Sequence, residues 1–574
     1  MKKRLRLDGK GKKPSKGSKP PDRIAGPFQT FLPPLVIFIF SASLLCWNLG
    51  ARYLWQDEAN TAVLGERMMS YGKPLSYDGR NLLTADLYDV NEAAQLPTAD
   101  PAEAIRYHAQ RGEFKPDTTW VLQPWGQFIV AGASLALFGH DTIPARLPFA
   151  LAGALTAALL YAVVRARLAS TVAAVAAVAL LLTNSFWVMH MRQCRYYSLS
   201  CLFFLVTLEA YLRWREGRRW GGPIFIGAAW LWFQVDYGSV WPVFVVLGLH
   251  ALITRTRTLR QTLLTFAGLC AVTVPFCLYY DLIGRARQSG KYIPWSNAIR
   301  VTLYQLNQFQ LPLVIMPVVL YFLWLKIKNG SDSRSVSLVG LSFAIACALP
   351  VWMAVVSPYA YYRYIVPLTP ISIIVTAFGI VELARRLPRK KDLRWLAPCA
   401  VATATLLFAV TNLPSRPGVI FAFPDQYPRL EYYLSGVIRQ EIRFVIDDLT
   451  GTGEDDPNRI AVEFLRQRLK PDDEIICNYE DVPLIFYLKN SLVRGGISCF
   501  RVNDKVGRVR FAVLRVSAGQ HQSIYSRVLK EGLWRQSSTK GLDIAYANYP
   551  DPQLHYARLS AGAHPLKIWE RVSQ

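Results

Sequence analysis

Asp57 and Glu58 stand side by side in YLWQDEANTAVLGERM, shortly beyond a first long apolar run from Phe31 to Leu49. A carboxylate at a membrane boundary can take the proton of an attacking hydroxyl, and an adjacent acid and partial desolvation raise its proton affinity. A transfer reaction there also needs cations for a leaving phosphate and aromatic rings for a sugar or lipid. Arg146 in PARLPF, Arg192 and Arg195 in MRQCRYYSL and Arg363 in SPYAYYRYIVPL offer guanidiniums, whose fork matches phosphate. Tyr196, Tyr197, Tyr362 and Tyr364 lie beside them, and Asp236, followed by Tyr237 in WFQVDYGSVW, is a second carboxylate. Each group has a plainer reading. Asp57 and Glu58 could cap the following helix, whose N-terminus favours anions; the arginines could be interfacial anchors or ion-pair partners; Asp236 could be a turn residue. Lys291 and Trp295 fall in a loop that covers the site at most.

The elements that must position these residues are membrane helices. A chain with 52% hydrophobic residues and many apolar windows of about 20 residues exceeds what one globular core needs. Eleven spans are expected, at 31–49, 145–164, 170–188, 196–213, 220–234, 238–254, 261–280, 311–326, 335–356, 364–384 and 395–412. Basic clusters at Arg165/Arg167, Arg213–Arg219, Arg255–Arg260, Lys326–Arg334 and Arg385–Arg394 follow an even number of crossings when the N-terminus is cytoplasmic. A further apolar segment, Val121–Gly139, would break this parity by crossing, so it is expected to be re-entrant or interfacial. The loop 51–120, the ends carrying Arg146, Arg195, Asp236 and Arg363, and everything after Asn412 then share the extracytoplasmic side. Residues 1–30 form a basic cytoplasmic tail suited to anionic lipid. The net charge of +25 is spread over short inter-span runs, so nucleic acid is excluded as a partner.

From 413 to 574 the charge is mixed and no apolar run is long enough to span. NRIAVEFLRQRLK and PLIFYLKN have helical patterns, EIICNY, GISCF and VRFAVLRV are strand-like, and SIYSRVLKEG then LDIAYANY follow, so a small α/β domain is expected. Cys477 and Cys499 fall on two of the strands as a disulfide or as two thiols. Walker A, HExxH, paired CxxC and GxSxG motifs are absent.

QDEA in the first loop, GQFIVAGASLALFGHDTIPARLPFALAGALTAALLY, RQCRYYSLSCLFF, the DYG at a span end and YYRYIVPLTP together resemble the PMT-type branch of the GT-C superfamily. These are integral-membrane glycosyltransferases related to protein O-mannosyltransferases and aminoarabinose transferases. The resemblance runs over most of residues 30–385, and NYEDVPLIFY and DIAYANYPDPQLHY are similar to the closing segments of bacterial members with a soluble C-terminal domain.

The resemblance implies a polytopic α-helical GT-C-like domain (31–412) followed by an extracytoplasmic α/β domain (413–574), in a bacterial inner membrane. It implies a polyprenyl-phosphate sugar as donor, a hydroxyl on lipid, glycan or protein as acceptor, and inversion by single displacement. Asp57 becomes the general base with Glu58 in support. Arg363 and Tyr364 are the first phosphate-binding candidates, and Arg146 and Arg195 the next. Relatives often place a carboxylate in the second outer loop, where this chain has RQCRYYSL, so a divalent metal stays open and no cofactor is certain. Relatives also often show His before the Tyr of the later loop, where this chain has Asp236. The insertion-like stretch Asp78–Asp117 carries no motif. Two rival readings, a lipid-linked transporter or flippase and an inactive scaffold, predict charged midplane residues with internal repeats and an expendable Asp57, respectively.

Overall fold

The apolar runs fold into helices. The computed structural model describes residues 27–84, 101–110, 112–282, 284, 294–330, 333–356, 362–387, 395–418, 436–439, 441–489, 491–495, 509–515, 529–530, 532–543 and 564–572. Each of the eleven expected spans coincides with helix. By length and composition, five described helices can cross a membrane: Thr142–Leu168, Tyr237–Thr254, Leu259–Tyr279, Ser333–Val356 and Arg363–Ala384. Shorter apolar helices, among them Phe31–Cys46, Gly221–Phe233 and Leu396–Val410, accompany them.

The run expected as one span at 170–188 is two helices, Thr171–Leu182 and Ser185–Met191, bent by 69°. The break follows from side chains that compete for backbone groups. Thr183 Oγ1 donates to Ala179 O, and Asn184 Oδ1 accepts from Trp187 N at 2.9 Å, restarting the chain as an N-cap.

The basic loops gather at one end of the helices. Arg167 holds Glu209 through two hydrogen bonds of 2.9 and 3.0 Å and also pairs with Glu216, which Arg334 approaches at 3.4 Å. Lys326 joins Glu382 at 3.3 Å. Arg146 begins the same helix that ends with Arg167, roughly 30 Å away at 1.5 Å per residue, so the candidate site lies at the opposite end.

At that opposite end the helix Gln56–Tyr71 begins where Glu58 Oε2 accepts from Trp55 N at 3.4 Å, and ends at Gly72 in the left-handed region (φ 72°). It packs on Gly126–Phe138, the core of the segment expected to be re-entrant. That helix has 13 residues, about 20 Å, the same length as Gly221–Phe233. The two helices touch backbone to backbone: a Cβ on Gly132 would lie 2.3 Å from Gly65 O. Buried Arg67 gathers the chain that leads into the insertion-like stretch, donating to the carbonyls of Leu75, Ser76 and Asn81 and pairing with Asp78.

The C-terminal region forms a five-stranded sheet of order β2-β1-β3-β5-β4, with β1 Glu474–Cys477, β2 Leu492–Gly495, β3 Val509–Leu514, β4 Trp534–Asp543 and β5 His564–Arg571. The first three are parallel, and the helix Asp481–Tyr487 makes the β1–β2 crossover. β5 runs antiparallel between β3 and β4. GISCF lies outside the described residues, as do most of SIYSRVLKEG and LDIAYANY; the chain enters the latter as β4 ends. Cys477 is buried on β1, and Cys499 lies outside the described residues. Leu54, Ala59 and Trp120 of the first loop share one buried cluster with Val462, Ile475, Phe486 and Phe511 of the C-terminal region.

Candidate active site

The two adjacent carboxylates separate by one helical step, and that step gives them different work. Glu58 points inward and is fully buried. Arg146 grips it through Nε to Oε1 (2.8 Å) and Nη2 to Oε2 (2.6 Å), and Cys194 N donates to Oε1 at 2.7 Å. Arg146 also donates to the carbonyls of Leu49, Arg52 and Tyr53. All five of its N–H groups are thereby used. Arg146, expected to face phosphate, here spends its donors on Glu58 and on loop carbonyls.

Asp57 turns the other way, with its side chain 26% exposed. Its Oδ2 lies 3.4 Å from Arg195 Nη2 and 3.6 Å from Arg363 Nη2. Arg195, nearly buried, also donates through Nη1 to Asp57 O (3.2 Å) and to Thr61 Oγ1 (3.0 Å). Arg363 stands on the 3-10 turn Tyr362–Leu368, within 5.6 Å of the Trp55 ring and 5.8 Å of the Tyr364 ring. The Tyr196 and Tyr197 rings meet at 4.5 Å in a tilted pair beside Arg195, and Tyr197 rests edge-on against buried His190 at 4.9 Å. His190 escaped sequence reasoning because its neighbours MHMRQCR drew attention to the arginines. Its Nδ1 bonds Phe186 O at 2.7 Å, so it props the tyrosine from the bent helix pair.

Asp236 and Tyr237 are bound into the scaffold. Asp236 Oδ1 accepts from Ser239 N (3.2 Å) as a helix cap, and its Oδ2 accepts from Ser200 Oγ (2.8 Å). Burial pushes its carboxyl up despite these bonds. Tyr237 donates its hydroxyl to Leu122 O at 2.6 Å. Arg192 likewise finds its anion within the chain, Asp448 at 2.7 Å, and also holds Leu45 O and Trp47 O. Burial pushes the Asp448 carboxyl up, but Arg192 and Arg146 outweigh it and hold it below the usual range. Lys291 and the side chains of Tyr362 and Trp295 lie outside the described residues. Among the described residues no three His, Cys, Asp or Glu side chains are placed to hold a metal, and Asp57 already faces two guanidiniums.

Behind Glu58 a small cleft lies between the first loop and the C-terminal region, lined by Arg52, Gln193, Asp456, Glu480 and Arg515 among others. The loop is fastened there. Tyr53 stacks on Tyr487 at 4.0 Å, Tyr487 Oη accepts from Leu54 N at 3.0 Å, and Gln56 Nε2 donates to Asp481 Oδ1 at 2.8 Å. Glu480 accepts from Asn458 at 3.1 Å, and Asn458 also takes Arg515 Nη1 at 2.8 Å. Burial pushes the Glu480 carboxyl up from its ordinary 4.5 to about 7, more than Arg515 and Asn458 lower it. An acid whose folded value is raised binds its proton more readily in the folded state. Its contribution to stability is complete below 4.5 and is lost as pH rises through about 7. Glu480→Gln, which keeps the acceptor without the charge, is expected to be more stable than the wild type at pH 8 by up to roughly 3 kcal/mol, the difference vanishing below pH 4.5. Thermal unfolding across pH checks this, and a pH-independent difference would refute it.

Residues 123–280 match the family model for dolichyl-phosphate-mannose-protein mannosyltransferase. No curated protein matches the chain. Among solved structures, ArnT from Cupriavidus metallidurans bound to undecaprenyl phosphate is similar with a TM-score of 0.53 at 14% identity, covering 94% of this chain and 98% of that one. The apo state of that ArnT gives 0.54 with the same identity and coverage. The Archaeoglobus fulgidus oligosaccharyltransferase in complex with zinc and sulfate gives 0.43 at 11% identity, covering 85% of this chain and 69% of that one. The likeness to ArnT is one of fold and runs over nearly the whole chain, the family match covers residues 123–280, and the apolar helices make the architecture that of a multi-pass membrane protein.

Proposed function

We propose that the chain is a glycosyltransferase that moves a sugar from a polyprenyl-phosphate donor to a hydroxyl on a lipid, glycan or protein, at the extracytoplasmic face of a bacterial inner membrane. The observation that carries this reading is the half-buried Asp57 carboxylate set between Arg195 and Arg363 at 3.4 and 3.6 Å. The two arginines suit the phosphate of the donor as charge-assisted, multidentate partners. A phosphate bound there competes for the guanidiniums and leaves Asp57 Oδ2 to the acceptor.

In the proposed step Asp57 takes the acceptor's proton as its oxygen attacks the anomeric carbon from the face opposite phosphate. A new C–O bond forms, the bond to the phosphate oxygen breaks with its electron pair, and polyprenyl phosphate departs against Arg195 and Arg363. The anomeric centre inverts, and positive charge developing on the sugar is met by Asp57. The gathering of basic loops at the far end of the helices supports placing that end in the cytoplasm and the site outside.

Mass spectrometry of polyprenyl-phosphate lipids and envelope glycans from cells lacking the protein tests the reading. One glycosylated polyprenyl phosphate is expected to accumulate while its sugar disappears from one glycan. Unchanged lipids and glycans would sink it.

A further inference from the structure

Asn60 lies one turn beyond Asp57 on the same helix, and Gln127 reaches across from the helix Gly126–Phe138 to the next residue, Thr61, with Oε1 3.4 Å from Thr61 Oγ1. Arg195 bonds the same Thr61 hydroxyl. Three polar atoms in this knot have no hydrogen-bond partner: Asn60 Oδ1, Gln127 Nε2 and Arg195 Nε. Their side chains are at least nine-tenths buried, Asn60 being 9% exposed, Gln127 0% and Arg195 6%. An unmade hydrogen bond on a buried group costs about 1–3 kcal/mol. One of them lies a turn beyond Asp57 and the other two belong to side chains that reach the adjoining Thr61, so the knot is short of partners that another molecule can supply.

The chemistry of the three atoms narrows that molecule. Gln127 Nε2 and Arg195 Nε donate, whereas Asn60 Oδ1 only accepts. An ionised phosphate ester has no proton to offer Asn60, but a sugar hydroxyl both donates and accepts. Neutral carboxamides also bring no charge that would compete with the phosphate for the arginines. Resting on the glycosyl-transfer reading, we propose that Asn60 and Gln127 form the subsite that reads the hydroxyls of a neutral hexose or pentose carried by the lipid phosphate. Arg195 bridges from this sugar subsite to the phosphate side of the site, and the pair sets which sugar is accepted.

The test is binding of undecaprenyl phosphate, and of undecaprenyl phosphate carrying mannose, glucose or arabinose, to the purified full-length protein and to its Asn60→Leu and Gln127→Leu variants. The wild type is expected to bind one glycosylated lipid more tightly than undecaprenyl phosphate. Each variant should lose about 3- to 10-fold in affinity for that lipid, the worth of one neutral hydrogen bond, while binding undecaprenyl phosphate as the wild type does. A variant that binds undecaprenyl phosphate normally is folded by that measure. Singly deoxygenated forms of the preferred lipid give a readout on the wild type alone, since at least one should lose the same factor. Variants that weaken all lipids alike, or that keep the full preference for the sugar, overturn the subsite, as does a wild type indifferent to every deoxygenation. A wild type that binds none of the lipids overturns the transfer reading itself.

Discussion

Asp57→Asn is expected to yield a folded protein whose sugar transfer falls by about 10²- to 10⁴-fold, the usual worth of a positioned general base. The substitution preserves shape, and Asp57 is the more exposed member of the acidic pair, so little of the packing depends on its charge. What disappears is the proton acceptor and the anion facing Arg195 and Arg363. With that anion gone, the two guanidiniums are left to the donor alone, and undecaprenyl phosphate is expected to bind the variant at least as tightly as the wild type. Measuring turnover and lipid affinity together separates the roles. A variant that retains turnover would remove Asp57 from catalysis and favour a scaffold, and one that loses lipid binding in parallel with turnover would make Asp57 part of the donor site.

Glu58→Ala is expected to fail at an earlier stage. It would leave Arg146 buried without its counter-charge and Cys194 N without its acceptor. Removing one partner of a buried ion pair costs about 3–5 kcal/mol, a large part of the stability of most proteins. The variant should be recovered in low yield and should melt well below the wild type. Glu58→Gln, which can still accept from Arg146, should fall between them. Replacing both partners, Glu58→Leu with Arg146→Met, should recover part of the loss, though not all, because Arg146 also holds three loop carbonyls. If Glu58→Ala instead melted like the wild type and lost turnover alone, Glu58 would belong to the chemistry and not to the scaffold.

The contrast between these neighbours shows where sequence reading stopped. The acidic pair was legible, as were the helices and the arginines at their ends, because apolar runs and misplaced charges are local signals. Which anion each arginine serves was not legible. Arg146 and Arg192 could be read as phosphate forks or as ion-pair partners, and their partners, Glu58 and Asp448, are distant in sequence and brought near only by folding. The cap reading and the catalytic reading of Asp57 and Glu58 were set against each other, whereas the structure divides them, Glu58 capping and Asp57 facing out. The bend at Thr183–Asn184 was hidden because hydropathy does not register two polar residues inside an apolar run. β5 was missed because HPLKIWER has only weak alternation and earns its place by pairing with β3 and β4 on both sides.

The stacking of Tyr53 on Tyr487, with Leu54 and Gln56 bonded to the same C-terminal helix, fastens the loop before Asp57 to the C-terminal region as one mechanical part. A chimera that exchanged the sheet alone between relatives is expected to keep every side chain of the proposed site and still misplace Asp57. Grafts that keep function must move residues 49–58 and the sheet region together, and changes on one side of this seam should be matched by changes on the other.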